Sequence, residues 1–300
     1  MTPPPHTRLP LAGSTFGYLQ HRPLSEALDD LAAHGLTQVE ITPMPPHLHA
    51  PALGAYDRRA LRRRLDRLGL RCLSVNPGFV DLNLISTNPE FRELSLRQIE
   101  AGIELSHDLE ARFHVVVPGR RHALSPAPAE DTRAVLLDGL ERLIRTAQPA
   151  GVVLALENSP YGFLGKADDL VGIHDDVVGN SNQTVGMSNG GGDAPLQLCY
   201  DVANALAQED PAAGVRLIGP RLGLAHVSDT PRSPWKHTSP GRGDVDFAAF
   251  AAALVDVGYA EATVYELVDD EDPGPRLAAD LAALCAHGFA TDPAATARSL

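Results

Sequence analysis

Short apolar runs alternate along this chain with longer stretches in which apolar residues recur every three or four positions. The runs fall at Leu9–Gly13, Gln38–Thr42, Arg71–Asn76, Phe113–Pro118, Val152–Glu157, Leu196–Asp201, Leu222–Val227 and Thr263–Leu267. Helical periodicity fills the intervals near 24–34, 55–68, 89–107, 130–147, 165–174, 203–209 and 246–257, with a last segment near 276–287. The short runs are almost continuously apolar rather than strictly alternating, as expected of strands covered on both faces. Strands of this length separated by helices predict parallel βαβ units. Eight such units in 300 residues predict a single α/β domain over 1–300, a (β/α)8 TIM barrel with an N-terminal tail at 1–8. A doubly wound sheet would carry a glycine-rich turn after its first strand, and "LAGSTFGYLQ" has no GxGxxG.

Two stretches interrupt the rhythm. Residues 175–194, rich in Gly, Asn and Ser, read as a surface insertion loop on the face opposite the strand C-termini. Residues 228–247, "SDTPRSPWKHTSPGRGDVDF", follow the seventh strand and belong to the C-terminal face, where barrels of this class build their sites.

A net charge of −13 argues against a nucleic-acid partner. The one basic segment, "DRRALRRRLDRLGL" at 57–70, has apolar positions at helical spacing and reads as a solvated outer helix face. No apolar run reaches the roughly 18 residues of a membrane helix. The N-terminal "MTPPPHTR" has no hydrophobic segment behind its charges. Cys72, Cys199 and Cys285 lie far apart, without the spacing of a metal or redox motif, and read as reduced thiols. Together these features lead us to expect a cytoplasmic protein.

The last four strands share a peculiarity. Each is apolar until its end, and each ends in a group able to ligate a metal: Glu157, Asp201, His226 and Glu266. They are far apart in sequence, but neighbouring barrel strands lie about 4.8 Å apart and their tips open into one mouth. Three converging carboxylates would repel one another unless a cation joined them. Three oxygen donors and an imidazole suit one divalent ion, Mn²⁺, Mg²⁺, Co²⁺ or Zn²⁺, with positions left for substrate oxygens.

This set, with the phrases "GLTQVEIT", "FHVVVPG", "LALENSP", "HVSDT", "PGRGDVDF" and "YELVDD", resembles the xylose-isomerase-like TIM-barrel superfamily of sugar isomerases and epimerases. The resemblance implies that Glu157, Asp201, His226 and Glu266 hold the ion and that the two glutamates flank the reacting carbons of a small sugar-like substrate. The expected reaction is isomerisation or epimerisation of a sugar, keto-sugar or polyol, with Glu-mediated proton transfer through a metal-stabilised enediolate. A metal-assisted dehydratase begins with the same proton abstraction and stands as the alternative. An apurinic endonuclease-like nuclease would need further zinc ligands and a basic surface, and a non-catalytic member would keep the barrel as a binding scaffold. Family barrels often pair, and the outer helices leave a homodimer open.

One position departs from the family pattern. Many members carry Asp-x-x-His on strand six, and here the fourth residue is Asn204, which can hydrogen-bond a hydroxyl but cannot carry charge. Further candidates for substrate contact are His237, Lys236 and Asp229 after strand seven and His122 after strand four. Phe16 and Tyr18 after strand one, and Trp235, could stack on a sugar ring. Asp246 reads as a helix N-cap.

Overall fold

The computed structural model describes residues 8–78, 81–184 and 194–291. Eight strands run parallel and close on themselves: β1 (Leu9–Ser14), β2 (Gln38–Ile41), β3 (Arg71–Val75), β4 (Phe113–Val116), β5 (Val153–Glu157), β6 (Leu196–Asp201), β7 (Leu222–Val227) and β8 (Thr263–Tyr265). β1 pairs with both β2 and β8, which completes the ring. The outer layer holds α1 (Leu24–Ala33), α2 (Ala55–Leu68), α3 (Pro89–Asp108), α4 (Ala129–Ala147), α5 (Ala167–Thr184), α6 (Val202–Leu206), α7 (Pro211–Ile218), α8 (Phe247–Asp256) and α9 (Gly274–Ala286). The chain is thus the (β/α)8 TIM barrel that its periodicity predicts.

Three details differ from the sequence reading. The helix after β5 does not stop near 174 but continues through Thr184, so the first half of the expected loop at 175–194 is helical. Val177 extends the buried row of Leu170 and Ile173, and Asp175 and Asp176 pair with Arg221 and Arg133. Residues 185–193, like the first seven, lie outside the described residues. A second short helix, α7, precedes β7; Pro211 is its first residue and the Asp210 side chain accepts from Ala212 N at 3.0 Å. Finally, β9 (Phe289–Ala290) adds two residues beside the start of β1. Both additions are too short for periodicity to register.

Side-chain alternation sorts each strand into two environments. Ala12, Leu73, Phe113, Val115, Val153, Ala155, Cys199, Leu224, Ala262 and Val264 form a separate core inside the barrel. Their neighbours, such as Leu154, Leu156, Leu198, Tyr200, Ala225 and Val227, pack outward against the helices. The arginines of α2 lie on the outside, where Arg58 meets Asp108 at 3.2 Å, Arg62 meets Glu110 at 2.7 Å, and Arg64 pairs with Asp29. The basic segment is therefore balanced by the acids of adjoining helices. Among the described residues, no helix is long and apolar enough to cross a membrane.

Candidate metal centre

The inward-facing row of each late strand ends in a polar group. Glu157 stands two residues beyond Ala155, Asp201 two beyond Cys199, His226 two beyond Leu224 and Glu266 two beyond Val264. The same alternation that fills the barrel with apolar side chains thus aims these four into the mouth. One ligand atom from each lies within 4.8 Å of the other three, and all four residues are buried.

His226 is oriented from behind. Its Nε2 lies 3.1 Å from Oε2 of Glu40 on β2, a residue with no solvent exposure. Glu40 also accepts from Ser74 Oγ at 2.8 Å, Asn76 Nδ2 at 3.2 Å and Ser14 Oγ at 3.4 Å, so both its oxygens are occupied. Such a carboxylate fixes the ring with Nε2–H toward itself and turns Nδ1 toward the mouth. Nδ1 lies 2.9 Å from Glu157 Oε1 and 3.6 Å from Glu266 Oε2, but neither approach has hydrogen-bond geometry and the atom is buried without such a partner. Asn76 Nδ2 also reaches Glu266 Oε1 at 3.2 Å, tying the two carboxylate layers together.

Asp201 divides its two oxygens between fold and site. Oδ1 accepts from Asn204 N at 2.6 Å and caps α6, while Oδ2 is buried with no hydrogen-bond partner. The residue is held by Asn158, whose amide takes Asp201 N at 2.8 Å and gives to Asp201 O at 3.1 Å, continuing the β5–β6 ladder with a side chain.

The electrostatics follow from crowding. Burial, reinforced by Glu266 and Asp201 and opposed by His226, pushes the Glu157 carboxyl up to about 7. Burial likewise raises Asp201. For Glu266, burial is outweighed by the imidazoles of His226 and His237, and its pKa is lowered. Burial disfavours charge on His226, yet Cys199 and the carboxylates of Glu40, Glu266 and Glu157 hold its pKa well above the usual histidine value. This concentration of negative charge is what a divalent ion would offset. The orphaned Asp201 oxygen, the locked Nδ1 and the mixed oxygen–nitrogen donor set all fit such an ion.

A cavity of about 290 Å³ opens above these groups. Glu157, Glu266, Asn204 and His237 line its floor, and Phe16, Tyr161 and Trp235 its walls. Asn204 gives its amide to Asn158 O at 2.9 Å and presents Oδ1 to His237 Nε2 at 3.3 Å. His237 Nδ1 meets Ser228 Oγ at 3.0 Å and lies 3.7 Å from Glu266 Oε2. Trp235 packs edge-on against both His237, at 5.3 Å between ring centres, and Tyr161, at 5.8 Å.

Four other sequence candidates lie elsewhere. Tyr18 is fully buried away from the cavity and donates its hydroxyl to Asp30 Oδ2 at 2.7 Å, which corrects its reading as a stacking residue. Asp229 accepts from Gly241 N at 2.8 Å, Gly243 N at 2.9 Å and Val245 N at 3.1 Å, and so shapes the loop itself. A Cβ at Gly243 would collide with the Thr230 backbone and the Asp229 carboxylate, which accounts for the glycine. His122 is exposed and uses Nδ1 to accept from Leu124 N at 3.2 Å and Ser125 N at 2.9 Å, capping its own turn. Lys236 is exposed and outside the cavity lining. Asp246 accepts from Ala249 N at 2.9 Å as the N-cap of α8. The sequence reading overlooked Glu40, Asn76, Asn158 and Tyr161. Glu40 and Asn158 did carry a signal, being polar residues within or just after apolar runs.

Residues 28–287 match the xylose isomerase-like TIM barrel family, and the chain belongs to it. It is 24% identical over 239 residues to an uncharacterized protein of Methanocaldococcus jannaschii, covering 79% of this chain and 76% of that one. Among solved structures, the fold is similar to D-psicose 3-epimerase of Clostridium cellulolyticum H10, with a TM-score of 0.75 and 15% identity over 94% of this chain and all of that one. It is also similar to 3-keto-D-glucoside 4-epimerase of E. coli, with a TM-score of 0.74 and 20% identity over 93% of this chain and all of that one.

Proposed function

We propose that this protein is a divalent-metal-dependent epimerase or isomerase of a keto-sugar or related polyol. The observation that carries the reading is the pair Glu157 and Glu266 at the floor of an aromatic-walled cavity, with Asp201 and His226 completing a four-residue ligand set. The epimerase names of the structural neighbours support the substrate class.

An ion held by Glu157, Asp201, His226 and Glu266 would supply Lewis-acid polarisation of a substrate carbonyl and hydroxyl. The chain's own groups do the rest. Glu157 takes the proton from the carbon beside the carbonyl, from its place on the cavity floor. Glu266, held by Asn76, takes a proton from solvent and delivers it from the other side of the cavity, which inverts the centre, and Glu157 then releases the abstracted proton to solvent. His237 and Asn204 bind substrate hydroxyls, and Phe16 and Trp235 cover the carbon skeleton and exclude water.

The described metal-ligating groups form one overlapping cluster, which fits single-ion chemistry better than a three-zinc nuclease. The test is solvent-deuterium incorporation with the Mn²⁺-loaded protein across ketopentoses, ketohexoses and keto-glycosides. Exchange at a carbon beside the carbonyl, with a new stereoisomer as product, is expected. Exchange accompanied by loss of water would convert the reading to a dehydratase, and no exchange on any member with the ion bound would overturn it.

A further inference from the structure

We propose that Cys199 is an inner ligand of the same centre, giving it two overlapping donor sets that sort ions by hardness. Hard ions such as Mn²⁺ and Mg²⁺ settle on Glu157, Asp201, His226 and Glu266. Thiophilic ions such as Zn²⁺, Co²⁺ and Cd²⁺ settle one layer deeper, on Glu157, Cys199 and His226. The inference rests on the reading of this mouth as a metal site and goes beyond it.

The placement of Cys199 follows from strand geometry. It lies two residues before Asp201 on β6 and therefore faces the same interior, one step down the barrel. In the β5–β6 ladder it is the direct partner of Glu157. Its Sγ, a Glu157 oxygen and a His226 ring nitrogen all lie within 4.8 Å of one another, in a group distinct from the four-residue set. Tetrahedral zinc with sulfur and nitrogen ligands separates its donors by roughly 3.5 Å, so a contraction of at most about 1.3 Å closes the site. The ring nitrogen is the one donor besides Glu157 that this group shares with the four-residue set. His226 Nδ1 is buried without a hydrogen-bond partner, because Glu40 occupies Nε2 and leaves Nδ1 for an ion.

Cys72 supplies the contrast. It is also buried, but its thiol donates to Ser74 O at 3.3 Å and among the described residues it joins no ligand group, as expected of a cysteine that serves as a small apolar residue. Ion capture by Cys199 breaks the S–H bond and forms a sulfur–metal bond, and the proton leaves to solvent. Hard ions gain little from that exchange and stay with the oxygens.

The test uses the full-length chain stripped by chelation and titrated with Co²⁺ alone, followed by absorption. Wild type is expected to show a near-ultraviolet thiolate-to-cobalt charge-transfer band that saturates at one ion per chain. Cys199→Ser should lose the band while keeping the visible cobalt absorption, and Cys72→Ser should keep both. Cys199→Ser should also weaken Cd²⁺ at least tenfold while changing Mn²⁺ affinity less than about threefold. Should Cys199→Ser fail to fold, Cys199→Ala, with Cys72→Ser and Cys285→Ser retaining the band, assigns the thiol. Stoichiometric cobalt binding without a charge-transfer band would overturn the inference and leave the four-residue centre standing. No cobalt binding at all would overturn both.

Discussion

Two histidines are wholly buried on barrel strands, on opposite sides of the sheet, and their surroundings differ in kind. His226 faces inward from β7 among Glu40, Glu157 and Glu266, which hold its pKa well above the ordinary value. His114 faces outward from β4 against α3, where Ser106 Oγ meets Nδ1 at 3.0 Å and Gly102 leaves room for the ring. No carboxylate opposes its desolvation, and burial pushes its pKa down to about 3. The same residue type at the same burial is drawn toward the charged form in one region and toward the neutral form in the other. Equal burial therefore says little about role; what decides is which groups face the ring. A similar contrast separates Glu40, whose oxygens are filled by ordinary donors, from Asp201, which keeps one oxygen unpartnered.

The comparison is broken most severely at the ligands themselves. Glu157→Gln or Glu266→Gln should lower solvent-deuterium exchange about 10³-fold, within the range of a lost general acid or base. Single-turnover exchange on the ion-loaded variants measures this, and a loss below tenfold would remove that glutamate from proton transfer. The orienting half comes next. Glu40→Gln leaves every ligand in place but weakens the hold on His226, and should reduce ion affinity 10–100-fold, as measured by competition with a chromophoric chelator. Unchanged affinity would make Glu40 a structural residue only.

The outer histidine sharpens the contrast through pH. Its folded pKa lies below the unfolded value of about 6.5, so the native state binds the proton less readily than the unfolded chain. Its contribution is intact above that value and is lost as pH falls toward about 3, at up to about 1.4 kcal/mol per pH unit. Urea unfolding between pH 7 and 5 should show a shallower decline in His114→Gln than in wild type, and parallel declines would count against a neutral buried ring. The smallest effect is expected at Tyr18, which touches the outer layer alone. Tyr18→Phe removes its bond to Asp30 and should cost about 1–2 kcal/mol of stability without altering kcat/KM. A selective fall in kcat/KM would return Tyr18 to the site.

Much of the architecture was legible because it is local. Strand length, helix period and the polar residue that closes each apolar run are properties of consecutive residues, and they led to eight strands and to Glu157, Asp201, His226 and Glu266. The course of α5 was misread at 175–184 because composition was allowed to outweigh the row of Leu170, Ile173 and Val177. For Tyr18 and Asp229 the position after a strand is visible in the sequence, but the direction of the side chain is not.

The sequence by itself determined the barrel and which strand tips carry groups able to ligate a metal, since alternation along a strand decides which residues point inward. Only the tertiary structure decided which of those residues meet. Glu40 reaches His226 from β2 across the barrel, Asn158 grips Asp201 across a strand gap, and Cys199 comes to lie beside Glu157 through the β5–β6 register. Closure of the ring brings together residues that are far apart in sequence, and their contacts depend on strand stagger, which no local pattern encodes.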